Sequence, residues 1–225
     1  MFIYEMHQHT SPCSACGKAD PVELVRTMKK EGFSGVVLTN HFLHGNTGIE
    51  RSLPWEDFVR AYEEDYLAAK EAGDELDFDV IFGIEEHVGR GKEVLLYGIT
   101  PEFLYAHPEL SDGKLETIYK AAHSFGALVF QAHPFRARDY IPDPSETISL
   151  EYVDGIEAYN ACNPEEENIK AEVYAQENGK MMSAGSDAHF ESFDGRFGIA
   201  CEHRIKSPAE LVETLKSGDY KLYLG

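Results

Sequence analysis

Short apolar runs alternate with longer amphipathic ones along the whole chain. The first run, Phe2–His9, has the period of two expected of a strand, so Glu5, His7 and His9 share one side. Gly35–His41 is apolar and β-branched, the pattern of a buried strand. Asp79–His87 and Glu93–Thr100 read as strands on either side of a Gly-Arg-Gly turn. Ala127–Pro134, Gly155–Asn160, Met181–His189, Gly198–Ile205 and Tyr220–Leu224 complete the short runs. Between them the spacing turns helical. Asp20–Glu31 starts with an N-capping Asp and a Pro in the first turn, and stops at Gly32. Pro54–Gly73 carries Phe58, Ala61, Tyr62, Tyr66 and Ala69 on one face. Asp112–Phe125, stopped by Gly126, and Pro164–Asn178 and Pro208–Ser217 supply the remaining helices.

Strand and helix alternating six or seven times predict an α/β fold with a mainly parallel sheet. The strands are nearly continuous apolar runs, as expected where both faces are covered. An open doubly wound sheet and a closed barrel both fit. No linker, repeat or low-complexity segment interrupts the 225 residues, so one domain spanning 1–225 is expected.

The polar residues change the picture, because they collect where the strands end. Strand one ends in His7 and His9, strand two in His41, and strand three in Glu85 and His87. A later strand ends in His133, the next carries Glu157 and Asn160, and the next ends in Asp187 and His189. In parallel α/β folds the C-terminal strand ends converge on one face and carry the chemistry. Six endings of metal-ligand type, far apart in sequence, therefore meet in one place. Mixed imidazole and carboxylate donors suit Zn, Mn or Fe.

These motifs resemble the PHP (polymerase and histidinol phosphatase) domains. That family's pattern is a His-x-His, a Thr-Asp-His, a Gly-[IV]-Glu, an Ala-His-Pro and a Ser-Asp-x-His. The chain has His7-Gln8-His9, Thr39-Asn40-His41, Gly83-Ile84-Glu85, Ala132-His133-Pro134 and Ser186-Asp187-Ala188-His189, in that order. It departs from the pattern at Asn40, and at Ser14 and Ala15, where the family often has an acid or histidine. The resemblance implies a distorted seven-stranded, TIM-like β/α barrel with two or three divalent ions at its C-terminal face. It implies a first metal on His7, His9, Glu85 and Asp187, a second on Glu85 and His133, and a third on His41 and His189. His87 and Glu93 are the nearby candidates for a further second-metal ligand. The activity implied is hydrolysis of phosphate esters, for which two close ions supply a bridging hydroxide and bind a phosphoryl oxygen.

Within that frame Asp187 and His189 are the expected catalytic residues. Arg136, Arg196 and Asn160 are the expected contacts to substrate, the arginines as bidentate phosphate donors. Glu5, on the same strand side as the histidines, is expected to orient one of them. Cys13-x-x-Cys16 reads either as two small loop residues or as a source of a thiolate that replaces the missing acid.

Charge narrows the substrate. There are 40 acidic and 20 basic residues, a formal net charge of −20, which repels a nucleic-acid backbone. A small phosphorylated substrate, a phosphomonoester or nucleotide, is expected rather than long nucleic acid. The competing readings are an exonuclease or oligonucleotide phosphodiesterase, which needs a basic groove, and a non-catalytic metal-binding module. Four cysteines are too few for a disulfide scaffold, and neither a leader peptide nor a membrane span is evident, so a cytoplasmic protein is expected.

Overall fold

A computed structural model describes residues 1–192 and 195–225. Nine strands form one sheet: β1 (Phe2–Gln8), β2 (Gly35–Leu38), β3 (Asp79–Gly89), β4 (Lys92–Tyr97), β5 (Leu128–Gln131), β6 (Gly155–Asn160), β7 (Met181–Gly185), β8 (Gly198–Cys201) and β9 (Lys221–Tyr223). Their order is β7-β6-β5-β4-β3-β2-β1-β8-β9. The helices are α1 (Pro21–Lys30), α2 (Trp55–Leu76), α3 (Pro101–Ala106), α4 (Leu115–Phe125), α5 (Glu165–Glu177) and α6 (Pro208–Ser217). All nine strand segments and five of these helices coincide with stretches read from the sequence. The short α3 lies outside those stretches.

β1, β2 and β3 are parallel, as are β5, β6 and β7, while β4 and β8 run antiparallel to their neighbours. The reversal of β4 has a local cause. Gly89, Arg90 and Gly91 all have positive φ (100°, 54° and 74°), and this tight turn returns the chain at once. A parallel neighbour would need a crossover of a dozen residues or more. The sheet therefore departs from the expected seven-stranded TIM-like barrel: it has nine strands and a hairpin in place of one βα unit.

Closure depends on β1. Along its first half one edge pairs with β8, through Phe2–Cys201 to Tyr4–Ile199. Further up, the same edge is taken by the segment that follows β7. His7 accepts at its carbonyl from the Asp187 N–H (2.8 Å), and the His9 N–H donates to the Ala188 carbonyl (3.1 Å). Gln8 and Ala188 form a parallel bridge there. The sheet thus closes into a nearly complete barrel at the end where the strand-end histidines lie.

Tyr4, Met6, Val37, Ile81, Tyr97 and Phe130 fill the interior, with Leu211 and Leu215 of α6 packed among them. Burial of each such side chain contributes roughly 1.5–3 kcal/mol. α1 and α2 cover β2 and β3 from outside through Leu24, Val25, Met28, Ala69 and Ala72. α1 is fixed by the predicted cap: the Asp20 side chain accepts from the Val22 and Glu23 N–H groups, with Pro21 in the first turn. Among the described residues no helix is long and apolar enough to cross a membrane.

Candidate metal centre

Every predicted ligand stands at the closed end of the barrel. His7, His9, His41, Glu85, His133 and Asp187 are all buried, and His189 is partly so. Four overlapping sets of donor atoms lie within 4.8 Å of one another: His7/His9/Glu85, His7/His133/Asp187, His41/Glu85/Glu93 and His9/His41/His189. Every residue assigned to metal from the resemblance appears in at least one set, and Glu93 joins them.

The rings are held by their outer nitrogens. His7 Nδ1 donates to Glu157 Oε1 at 2.8 Å. His9 Nδ1 donates to Ser14 Oγ at 3.1 Å, and the Ser14 hydroxyl in turn donates to Asn40 Oδ1 at 2.9 Å. His189 Nδ1 donates to the Asp187 carbonyl at 2.8 Å. A ring fixed through Nδ1–H presents Nε2 as a lone pair. His7 Nε2 and His9 Nε2 face each other at 3.1 Å, and Asp187 Oδ1 lies 3.0 Å from His9 Nε2. Glu85 Oε1 reaches His133 Nε2 at 3.0 Å and His7 Nε2 at 3.3 Å.

The electrostatics of this cluster call for a cation. Burial opposes protonation of His7, but Glu157, Asp187 and Glu85 outweigh it and push its pKa well above the usual range. Burial and the neighbouring His41 push His9 down to about 3. Burial opposes ionisation of Asp187, yet Arg136 and His7 hold its carboxyl well below the ordinary range. Glu93, buried beside the charged Glu85, is pushed up to about 8. His41 Nδ1 and Glu85 Oε2 sit 2.8 Å apart, both buried and neither hydrogen-bonded. Crowded carboxylates, imidazole nitrogens that face one another and orphaned polar atoms fit a divalent ion well.

Backbone strain marks the same place. His133 and Asp187 have φ of 27° and 54°, in the left-handed region that non-glycine residues seldom adopt. Each such position costs on the order of 1–3 kcal/mol. The ladder bond from Asp187 N–H to the His7 carbonyl, and that from His133 N–H to Glu157 Oε2 (2.9 Å), hold them there.

A cleft of about 510 Å³ opens above the cluster, lined by Cys16, His41, His44, His87, Glu93, Arg136, Tyr140, Asp187 and His189 among others. Of the three expected substrate contacts, only Arg136 reaches it. Its Nη2 pairs with Asp187 Oδ2 at 2.6 Å and donates to Asn160 Oδ1 at 3.0 Å, and its Nε donates to Asn163 Oδ1 at 2.8 Å. Asn160 is fully buried. It bonds Arg136, Glu157 Oε2 and the Cys162 N–H, so it has no face left for substrate. Arg196 is also not a substrate contact. It is 3% exposed and spent on Gln8 Oε1, Glu31 and the Glu191 carbonyl, so it braces the loop behind Asp187.

Glu5 does not orient a ring either. It accepts from the backbone N–H groups of His7 (3.0 Å) and Ser186 (2.7 Å) and so clamps β1 to the segment after β7. Burial pushes it up to about 7. The carboxylate on the His7 ring is Glu157. It was legible as a strand-end acid, but only the sheet order puts it beside His7. Asn40 exchanges two bonds with Thr10, each 2.7 Å, and supports Ser14; it is a brace and not a ligand.

The two cysteines of the Cys-x-x-Cys stretch part company. Cys13 is buried in the outer core, with its Sγ on the Tyr62 carbonyl. Cys16 faces the cleft with its Sγ 3.1 Å from His189 Nε2.

A family model described as PHP-associated matches residues 165–220, which include Asp187 and His189. No curated protein matches the chain. Among solved structures, a two-domain protein from Bacteroides vulgatus containing a predicted PHP-like metal-dependent phosphoesterase is 16% identical, with a TM-score of 0.73 over 99% of this chain. The chain spans 64% of that protein's length. A Bifidobacterium adolescentis protein described as a candidate metal-dependent phosphoesterase has 16% identity and a TM-score of 0.57, covering 95% of each chain. An amidohydrolase from Chromobacterium violaceum, with bound sulfate and no metal, has 16% identity and a TM-score of 0.59 over 83% of this chain and 87% of its own. At these identities the likeness establishes the fold.

Proposed function

The matched segment and the structural neighbours support a PHP-domain family, and from that premise we propose that the chain hydrolyses a small phosphate ester with the help of bound divalent ions. The observation that carries the reading is the convergence of His7 Nε2, His9 Nε2, Asp187 Oδ1 and Glu85 at the floor of a cleft whose wall includes Arg136. His7, His9, Glu85 and Asp187 would hold one ion. Glu85, His133 and Glu93, with His133 Nε2 3.0 Å from Glu85 Oε1 and 3.5 Å from Glu93 Oε2, would hold a second, with His41 and His189 on a third. Such ions make water nucleophilic at neutral pH and draw charge off the phosphoryl oxygens. Their number, and the choice among Zn, Mn and Fe, belong to the same proposal.

The chain's own residues do the rest. Glu157 and Ser14 fix the tautomers of His7 and His9, so both rings face inward unprotonated at Nε2 when a cation is present. Arg136 keeps Asp187 ionised and aimed into the cluster, and it places positive charge on the cleft wall where a phosphate would lie. The catalytic roles proposed for Asp187 and His189 follow from their place at the cleft floor. His44, His87 and Tyr140 line the outer cleft and offer polar groups to the rest of the ester. Among the described residues the lining has one arginine and no lysine, which favours a compact substrate over a polyanion.

The test is turnover of a panel of phosphorylated metabolites by the metal-loaded protein. Phosphate release that disappears in a His7→Ala, His9→Ala double variant is expected. Activity equal in the two proteins, or absent from the loaded wild type across the panel, would overturn the reading.

A further inference from the structure

Cys16 lines the cleft, and the phosphoesterase reading leaves its chemistry unused. It lies on the loop between β1 and α1, in the wall of the cleft. Its Sγ is 3.1 Å from His189 Nε2, and His41 lines the same cleft. The two imidazoles flank the His9 ring, with centroids 4.3 Å and 4.5 Å from it. His41 is 8% exposed, and its Nδ1 has no hydrogen-bond partner. Cys16 thus stands at the corner of a histidine cluster that contains an orphaned donor.

The loop is built to hold it there. The Lys18 and Ala19 N–H groups both donate to the His189 carbonyl, at 2.7 Å and 3.1 Å, so the loop and His189 are tied together on the backbone. On the other side the Ala15 N–H donates to the Asn46 carbonyl at 2.9 Å. Gly17 completes the turn: a Cβ there would meet the Thr10 carbonyl oxygen at 2.4 Å, so only glycine lets the chain pass. The neighbouring Cys13 cannot compete for this role, because its Sγ is directed to Tyr62 in the core.

We propose that Cys16 is a thiolate ligand that joins His41 and His189 to bind a divalent ion, giving this corner a sulfur donor. The inference rests on the metal reading above and adds one residue and a preference to it. Two imidazoles and a thiolate form a soft donor set, which selects zinc over manganese or magnesium at this position. Binding releases the thiol proton to solvent.

The experiment is spectroscopic and uses the full chain. The protein is stripped with a chelator, loaded with Co²⁺ and examined for a thiolate-to-cobalt charge-transfer band. The Zn²⁺-loaded protein is examined by X-ray absorption for a sulfur neighbour at about 2.3 Å. The wild type is expected to show both. Cys16→Ser is expected to lose the band and to bind its most labile ion at least ~10-fold more weakly. Cys13→Ser and Cys162→Ser are expected to keep the band. Cobalt or zinc bound with no sulfur neighbour in the wild type would overturn the proposal and leave the phosphoesterase reading standing. A band that survives in Cys16→Ser would do the same. If the wild type binds no ion at all, both readings fall together. The wild-type absorption spectrum needs no variant, so misfolding of Cys16→Ser does not shield the proposal.

Discussion

Glu157 and Arg136 show how single residues set the site without needing to touch a reacting atom. Glu157 accepts from His7 Nδ1 and from the His133 N–H, so one carboxylate orients two histidines of the cluster. Replacing it by Gln removes the charge and leaves the His7 tautomer unfixed. We expect metal affinity to fall 10–100-fold, as measured by chelator competition, with little change in the circular dichroism spectrum. Unchanged affinity would mean that the His7 ring is oriented by something else. Arg136 is different, because it neutralises a buried acid. In the metal-free protein, Arg136→Ala leaves Asp187 buried and uncompensated, which costs roughly 3–5 kcal/mol. Bound metal supplies part of that charge, so urea unfolding is expected to show a smaller loss in the loaded protein. Equal losses in both forms would show that Asp187 is not a ligand. His7, His9, His41, Glu85, His133, Asp187 and His189 were legible as donors from their positions at strand ends. Glu157 was legible as an acid but not as the partner of His7, because that pairing joins residues 150 apart.

At the scale of elements, the site depends on how two strands meet. Gly185, the last residue of β7, lies so close to β1 that a Cβ would come within 2.4 Å of the His7 Cβ. Gly185→Ala therefore pushes the segment carrying Asp187 away from His7. A loss of about 1–3 kcal/mol is expected from overpacking, together with weaker metal binding. Thermal unfolding with and without metal checks both, and a wild-type melting temperature would show that the barrel closes with room to spare. The β3–β4 hairpin contributes at the same scale. Its antiparallel register places Glu93 opposite His87 and brings it within 3.8 Å of His41. The two glycines of the turn marked a hairpin in the sequence, but the use of Glu93 as a donor depends on the curvature of the closed sheet.

For the whole molecule, the cluster makes stability depend on pH and on metal. In the metal-free protein Glu93 is raised from 4.5 to about 8 and Glu5 to about 7. An acid whose pKa is raised on folding holds its proton more tightly in the native state. Stability is therefore lost as pH rises from about 4.5 towards 8. His7 and His41 are raised above 6.5, and their contribution is present below that value and lost above it, so they act in the same direction. Asp187 and Glu85 are depressed, and their contribution is lost only as pH falls through the acid range. Below pH 6.5 the depressed His9 and His133 work in the opposite direction, so urea midpoints of the chelated protein are expected to decline between pH 6.5 and pH 8. A flat or rising profile would contradict the assignment of these shifts. Saturating divalent metal should oppose that decline, because deprotonated ligands bind better at higher pH. At a hundredfold excess over Kd the gain is about 2.7 kcal/mol, readable as a rise in melting temperature.

The chain by itself determined the order of strands and helices, the α/β class and the seven imidazole and carboxylate side chains gathered at strand ends, because these follow from local periodicity and from the rule that strand ends converge. It marked the cysteine pair and the charge balance without assigning either. Tertiary structure alone decided the rest. Sheet order put Glu157 behind His7, the backbone ties of its loop put Cys16 beside His189, and closure through Ala188 and Gln8 brought both ends of the sequence into one cluster. It also removed Arg196 and Asn160 from the cleft by giving their polar atoms other partners. Periodicity records which face a residue occupies within its own element. Which buried group meets which across the barrel is fixed by packing between segments far apart in sequence, and no local pattern encodes that.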